Sequence, residues 1–447
     1  MINYPASFIK TFLVCFLLAS GVVCFAQQAP ADAVSIDQLG AQANNPGFDN
    51  GPIIVKALQT GKSVVFPANN YFVSTTIHVN DLNGVTIYAT GSTITNTNYE
   101  APTFIFGGAH NFKIIGGHYT RDVMPTRQDG KSQHTFEFRN CYVVSITKAH
   151  IERSPEMGIC NNGVNGGTYT ENTIEHCLRD GIYAHYSTNL LYDSNTINDI
   201  KDDGLSMHDY GIDAQKTFIK KYGFTTAGHS VISGNHITNC VEGISSVACT
   251  DLTIQYNVIK NTVIAGIGLF NSENMLPGST ARLARITVKN NTISNAEADL
   301  TIDGSLIKSN SWFSNGRSAI FIGCVKFGQS YTVSKMRSAD ITVVGNTVMN
   351  CVENGATLYN IDGLVFNDNT FTNCRSTGNV STGDIVEIQN CTNIKVSNNQ
   401  VTDTRSSVLH NRGYAIDNSS GTFQQGTVSG YRIEAVSIKN SPNLGSN

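Results

Sequence analysis

Two histidines, His185 and His208, stand apart by the interval that also separates Asn172 from Asn195, 23 residues. Asp180 and Asp203, the latter beside Asp202, keep the same interval, and Glu242 follows after a longer one that contains an insertion. If that interval is one turn of a coiling backbone, the acids lie on successive rungs. Neighbouring rungs then stand ~4.8 Å apart and alternate rungs ~9.6 Å apart. Cleavage of a glycosidic bond uses two carboxyl groups about 5–5.5 Å or about 6.5–9.5 Å apart. Crowded carboxylates also raise one another's pKa, which keeps one protonated as an acid. Asp203 or Asp202 is therefore the candidate general acid. Asp180 or Glu242 is the candidate to activate water or act as nucleophile. His185 and His208 would position substrate or share proton transfer.

The candidate substrate contacts surround these groups. Tyr183 alternates with His185 on one strand, with Ile182 and Ala184 pointing inward. Ser206 and His208 alternate in the same way with Leu205 and Met207. Lys201 precedes the acid pair and Asp209 follows His208. Trp312, beside Phe313, lies in a long loop and has a face on which a sugar can stack. No His or Cys spacing matches a metal site, so no metal ligands are expected. A stack of Asp beside a groove is nonetheless compatible with calcium.

The element that must position these residues is a repeat. Asn-x-(Ile/Val/Phe) recurs at Asn172, Asn195, Asn235, Asn257, Asn291, Asn346, Asn369 and Asn399. The gaps are 23, 40, 22, 34, 55, 23 and 30 residues. The short gaps define a unit of 22–23 residues, and the longer ones contain insertions or further units. Other columns keep register. Cys177, Ile200, Cys240, Thr262, Ala296, Cys351, Cys374 and Thr404 fall five positions after the asparagines. Asp180-Gly181, Asp203-Gly204, Glu242-Gly243, Ala265-Gly266 and Asn354-Gly355 follow a few residues on. Ala149 takes the asparagine slot in an earlier unit. Short β-branched segments at 190–192, 252–255 and 364–366 alternate with turns. Three strands and three turns in so short a unit make one coil of a parallel β-helix. An internal asparagine ladder follows, each amide bonding to those above and below.

These Asn-x-Ile and Asp-Gly-Ile repeats resemble those of pectate-lyase-like right-handed parallel β-helix proteins. The stretch 49–58, then Ser63-Val64-Val65-Phe66-Pro67-Ala68 and Tyr71, is similar to the opening of such chains, with Asn69 at a usual Gly. The resemblance implies an all-β solenoid with a short N-terminal capping helix. It also implies activity on a polysaccharide, although the superfamily holds lyases, hydrolases, epimerases, transferases and tailspikes. Asp180-Gly181 and Asp202-Asp203 resemble the first two of four motifs in polygalacturonase-type hydrolases. The other two differ: Glu242-Gly243 replaces the His motif, and Gly228-His229-Ser230 and Arg285-Ile286-Thr287 match only in part.

Composition frames this reading. Lys10 and an apolar run over 12–25, ending at Ala26, read as a cleaved secretory signal over 1–26. The expected product is secreted or periplasmic, with no membrane anchor after cleavage. The expected organisation is an N-terminal cap and first coils over 27–125, a β-helix with inserted loops over 126–430, and a tail over 431–447. The net charge of −4 and the lack of a basic stripe argue against nucleic acid as a partner. Of 11 cysteines, Cys15 and Cys24 fall in the leader. The odd remainder argues against a disulfide framework and for a reduced, buried ladder. Insertions at 210–227, 271–282, 299–315 and 324–338 follow or flank equivalent strands. They should wall one groove. The expected function is polysaccharide cleavage, by hydrolysis first. The alternatives are a lyase or uronate epimerase using His208, Tyr183 or Lys201 as base, with calcium or Arg on the carboxylate, and a non-catalytic glycan-binding β-helix. Sequence leaves the oligomeric state open.

Overall fold

A computed structural model describes residues 28–123, 126–127, 131–211, 227–274, 279–309, 318–323, 337–375, 384–406, 412–431 and 434–446. The expected signal peptide and Trp312 lie outside the described residues, as do most of the loops at 210–227 and 324–338.

The chain forms a right-handed parallel β-helix. One face is a sheet of 15 strands, from Val34–Ser35 to Leu444–Ser446. The other two faces merge into a network of 23 strands. They merge because Thr196–His208, His236–Val247 and Val258–Phe270 run unbroken around a corner. The expected cap is present as the helix Gly51–Leu58, which lays Ile54, Ala57 and Leu58 over the first coil. The expected tail belongs to the solenoid instead: Glu434–Lys439 pairs with Arg412–Asp417, and Leu444–Ser446 pairs with Gly421–Phe423.

The asparagine ladder holds the turns together. All eight side chains are buried. Asn235 Nδ2 donates to Asn257 Oδ1 at 2.9 Å, and the backbone N–H of Asn235 donates to the same oxygen at 3.0 Å. The pattern repeats from Asn172 through Asn399. Ala149 at the end of the column donates its N–H to Asn172 Oδ1 at 3.0 Å. The amide thus satisfies backbone groups that a tight turn would otherwise bury without partners. The eight described cysteines are free and buried. Seven line the interior column or its neighbours, whereas Cys160 packs outside the barrel against Met157 and Tyr183.

The Asp-Gly pairs have a different cause from the turn chemistry such dipeptides usually signal. Gly181, Gly204 and Gly243 stack directly. A Cβ on Gly181 would stand 2.6 Å from Gly204 O, one on Gly204 2.7 Å from Gly243 O, and one on Gly243 2.5 Å from Gly266 O. Glycine is required by close approach of successive coils, and the acid before it is carried along the same column.

Candidate active site

The corner after the second strand of each coil builds the site. Ile182–His185 pairs with 205–208 in register: Tyr183 with Ser206, and His185 with His208. One coil on, Asp203 pairs with Glu242, Ser206 with Ser245 and His208 with Val247. The backbone N–H of Gly181 donates to Asp203 O at 2.9 Å, which places Asp180 on the rung below Asp203. Asp180, Asp203 and Glu242 therefore form one column over three rungs. The register shifts between Ile200 and Asp203, and again between Cys240 and Glu242. The coil carrying Asp202 has one more residue in this corner than the coil carrying Glu242. Asp202 takes the slot that Arg179 occupies one coil below, so the second acid stands beside the column on the ordinary spacing, and the coil carrying Glu242 lacks that residue.

Arg179 is the residue that sequence reading overlooked. Its Nε lies 3.7 Å from Asp180 Oδ1 and 3.7 Å from Asp202 Oδ2. Its guanidinium also sits 5.9 Å from the centre of the Tyr183 ring. The signal was available one position before the acid column, where Glu156, Arg179 and Asp202 alternate in charge on successive coils.

The electrostatics divide the acids. Burial, then Asp202, Glu242 and Asp180, push the Asp203 carboxyl well above the usual carboxylate range. Burial and Asp202 push Glu242 up to about 8. Burial and Asp180 push Asp202 up to about 7, against the pull of Arg179. Asp180 is raised by burial, with Arg179 and the Ser206 hydroxyl opposing the shift; that hydroxyl donates to Asp180 Oδ2. Four acids thus share fewer than four charges near neutrality, with Arg179 holding the negative ones at its end of the cluster.

The histidines border this cluster but are not exposed. His208 Nε2 is 3.9 Å from Asp203 Oδ2, and Tyr210 Oη is 3.1 Å from His208 Nδ1. His185 stacks on Tyr186 at 4.5 Å and meets the Tyr210 ring edge-on at 5.5 Å. Burial pushes both histidines down to about 3, so both are neutral at ordinary pH. Tyr183 is only 7 % exposed, and burial raises its phenol well above the usual range. The open strand face expected from alternation is therefore covered. The rings do point away from the barrel, and other aromatic rings lie over them.

Three further expectations are corrected or left aside. Asp209 is no free groove acid: Oδ1 accepts from Gly211 N–H at 2.7 Å and Oδ2 from Ala227 N–H at 3.0 Å. It ties together the two ends of the first insertion. Asp209→Ala is expected to cost about 3 kcal/mol of unfolding free energy, since two hydrogen bonds to a buried carboxylate are lost. Urea titration checks this. Lys201 points elsewhere, with Nζ 3.5 Å from Ser305 Oγ on the hairpin Leu300–Ile302/Ser305–Ile307. Trp312 has no described position.

Among the described residues, parts of three insertions lie beside the strands that carry the acids and histidines. The hairpin packs Ile302 against Val241, Val263, Ile264 and Ala265, at the end of the acid column. Ser279 Oγ donates to Tyr210 O, joining the second insertion to the first. A concavity of about 890 Å³ lies elsewhere, over the 15-stranded face near Lys113, Ser145 and Thr168. It has no acid stack.

No family model and no curated relative matches this chain. Solved structures do. The GH87 α-1,3-glucanase catalytic unit of Streptomyces thermodiastaticus is 16 % identical with a TM-score of 0.57, over 94 % of this chain and 69 % of that one. The A-module of mannuronan C-5 epimerase AlgE4 of Azotobacter vinelandii is 12 % identical with a TM-score of 0.54, over 93 % and 100 %. The tailspike of E. coli bacteriophage HK620, solved with a pentasaccharide, is 11 % identical with a TM-score of 0.60, over 93 % and 80 %. At these identities the likeness establishes the fold.

Proposed function

We propose that this protein is a secreted glycoside hydrolase that cuts a polysaccharide at the Asp180/Asp202/Asp203/Glu242 cluster. The observation that carries the reading is the three-rung carboxyl column with Asp202 and Arg179 beside it. Asp203 keeps its proton and gives it to the glycosidic oxygen as the bond breaks. Asp202 and Asp180, which share Arg179, supply the ionised partner that takes a proton from water. Glu242, pushed up to about 8, holds a proton at neutrality. It is not the base. His208 and Tyr210 border the acid.

The lyase and epimerase readings lack a suitable base among the residues that favoured them. His208 is held near 3, so it accepts a proton poorly. The Tyr183 phenol is raised rather than lowered. Lys201 lies against the hairpin. Solved proteins of this fold that act on or bind glycans support a carbohydrate substrate.

The test is a panel of α-1,3-glucan, mannuronan and polygalacturonate. New reducing ends without ultraviolet absorbance are expected on one of them. Reducing ends accompanied by the absorbance of an unsaturated uronate would replace this reading with a lyase. Binding with no cleavage on any polymer would replace it with a glycan-binding role.

A further inference from the structure

A second cluster lies on the flat strand before the acid-bearing corner, in earlier coils. His118 pairs in register with His150, and their rings stack at 4.4 Å with planes 11° apart. Glu152, two residues beyond His150, pairs with Glu175 on the next strand, Thr173–Cys177. His118 Nε2 is 3.1 Å from Glu152 Oε1, and His150 Nε2 is 2.7 Å from Glu175 Oε1. The Thr120 hydroxyl donates to Glu152 Oε1 at 2.8 Å. One ring nitrogen of each histidine and one Glu152 oxygen all lie within 4.8 Å of one another.

We propose that His118, His150 and Glu152 bind one divalent transition-metal ion of the zinc class. Two imidazoles and one carboxylate are the donors such ions take, whereas calcium and magnesium take oxygen alone. Zinc sits about 2.0–2.2 Å from such ligands, so small rotations about the side-chain bonds close the triangle. Three protein ligands leave a fourth position for water. Glu175 orients the His150 ring from outside the triangle, as carboxylates do for ligating histidines.

The rung geometry is set by the sheet, so the ligands are preorganised rather than gathered from a loop. His118 also stands on the rim of the 890 Å³ concavity, so an ion can enter from solvent. The site shares no residue with the acid cluster, and its failure would leave the hydrolase reading intact.

The test is calorimetric titration of zinc chloride into the metal-free full chain at pH 7.5. Wild type is expected to bind one equivalent. His118→Ala and His150→Ala are each expected to weaken binding by more than ~100-fold, and Glu175→Gln by ~10-fold. X-ray absorption of the zinc-loaded wild type is expected to show nitrogen from two imidazoles in a mixed N/O shell, and it does not depend on any variant folding. Absence of a one-to-one event in wild type overturns the proposal. So does wild-type affinity in both histidine variants, or a shell of oxygen alone.

Discussion

Asp203→Asn is expected to lower kcat by about 10³-fold while leaving the fold intact, because it removes the proton donor and keeps its shape. The same substitution should raise stability at alkaline pH. The sign follows from linkage. Asp203 and Glu242 have folded pKa values above their unfolded ones, with Glu242 at about 8. Between an unfolded pKa of about 4 and the folded value, the folded chain holds more protons than the unfolded chain. Stability therefore falls as pH rises through that window. Asparagine carries no charge at any pH, so Asp203→Asn escapes the loss. Rate measurements and thermal melts at pH 5 and pH 8.5 check both halves. Wild-type hydrolysis should fall below about 7, as Asp202 is protonated, and again at alkaline pH, as Asp203 loses its proton. A structure that stores acids at the expense of stability is what a hydrolytic site asks for.

Asn257→Ala is expected to destabilise the solenoid by about 4 kcal/mol. Asn257 Nδ2 donates to Ile232 O at 3.0 Å and to Asn291 Oδ1 at 2.9 Å. Its Oδ1 accepts from both Asn235 N and Asn235 Nδ2. Removal takes the acceptor from the buried backbone N–H of Asn235 and the amide donor from the carbonyl of Ile232. Asn261 is the control. It belongs to an outer row, with Nδ2 on Asn239 Oδ1 at 3.1 Å, and water replaces what it loses. Asn261→Gly, which accepts the left-handed backbone of that position (φ 55°), should cost under about 1 kcal/mol. Urea denaturation of the two variants, compared by midpoint at unchanged slope, distinguishes them.

The fold was legible because its determinants repeat. A buried amide ladder tolerates no substitution without orphaned donors, so asparagine recurs and its period can be read. The Asp-Gly column was legible for a related reason, although its cause is crowding between Gly181 and Gly204 rather than turn conformation. The register of His185 on His208 and of Asp203 on Glu242 followed from that period. What alternation left hidden is what lies above the sheet. Strand period says that Tyr183 points away from the barrel, and nothing in it says that Tyr210 covers the same face. Asp209 looked like a groove acid because its backbone partners, Gly211 and Ala227, flank an insertion whose closure the sequence does not encode as a pattern. Arg179 was missed because a cation one residue from an acid column reads as an ordinary surface charge. Its proximity to both Asp180 and Asp202 emerges only when the coils are stacked.

The central claim is that the carboxyl stack hydrolyses a glycan. Cleavage of the polymer that responds in the panel, carried out in water enriched in heavy oxygen, tests it most directly. Mass spectrometry of the products is expected to show one solvent oxygen at each new end with wild type, and no products above background with Asp203→Asn. Products that carry no solvent oxygen, or cleavage undiminished by Asp203→Asn, would contradict the account.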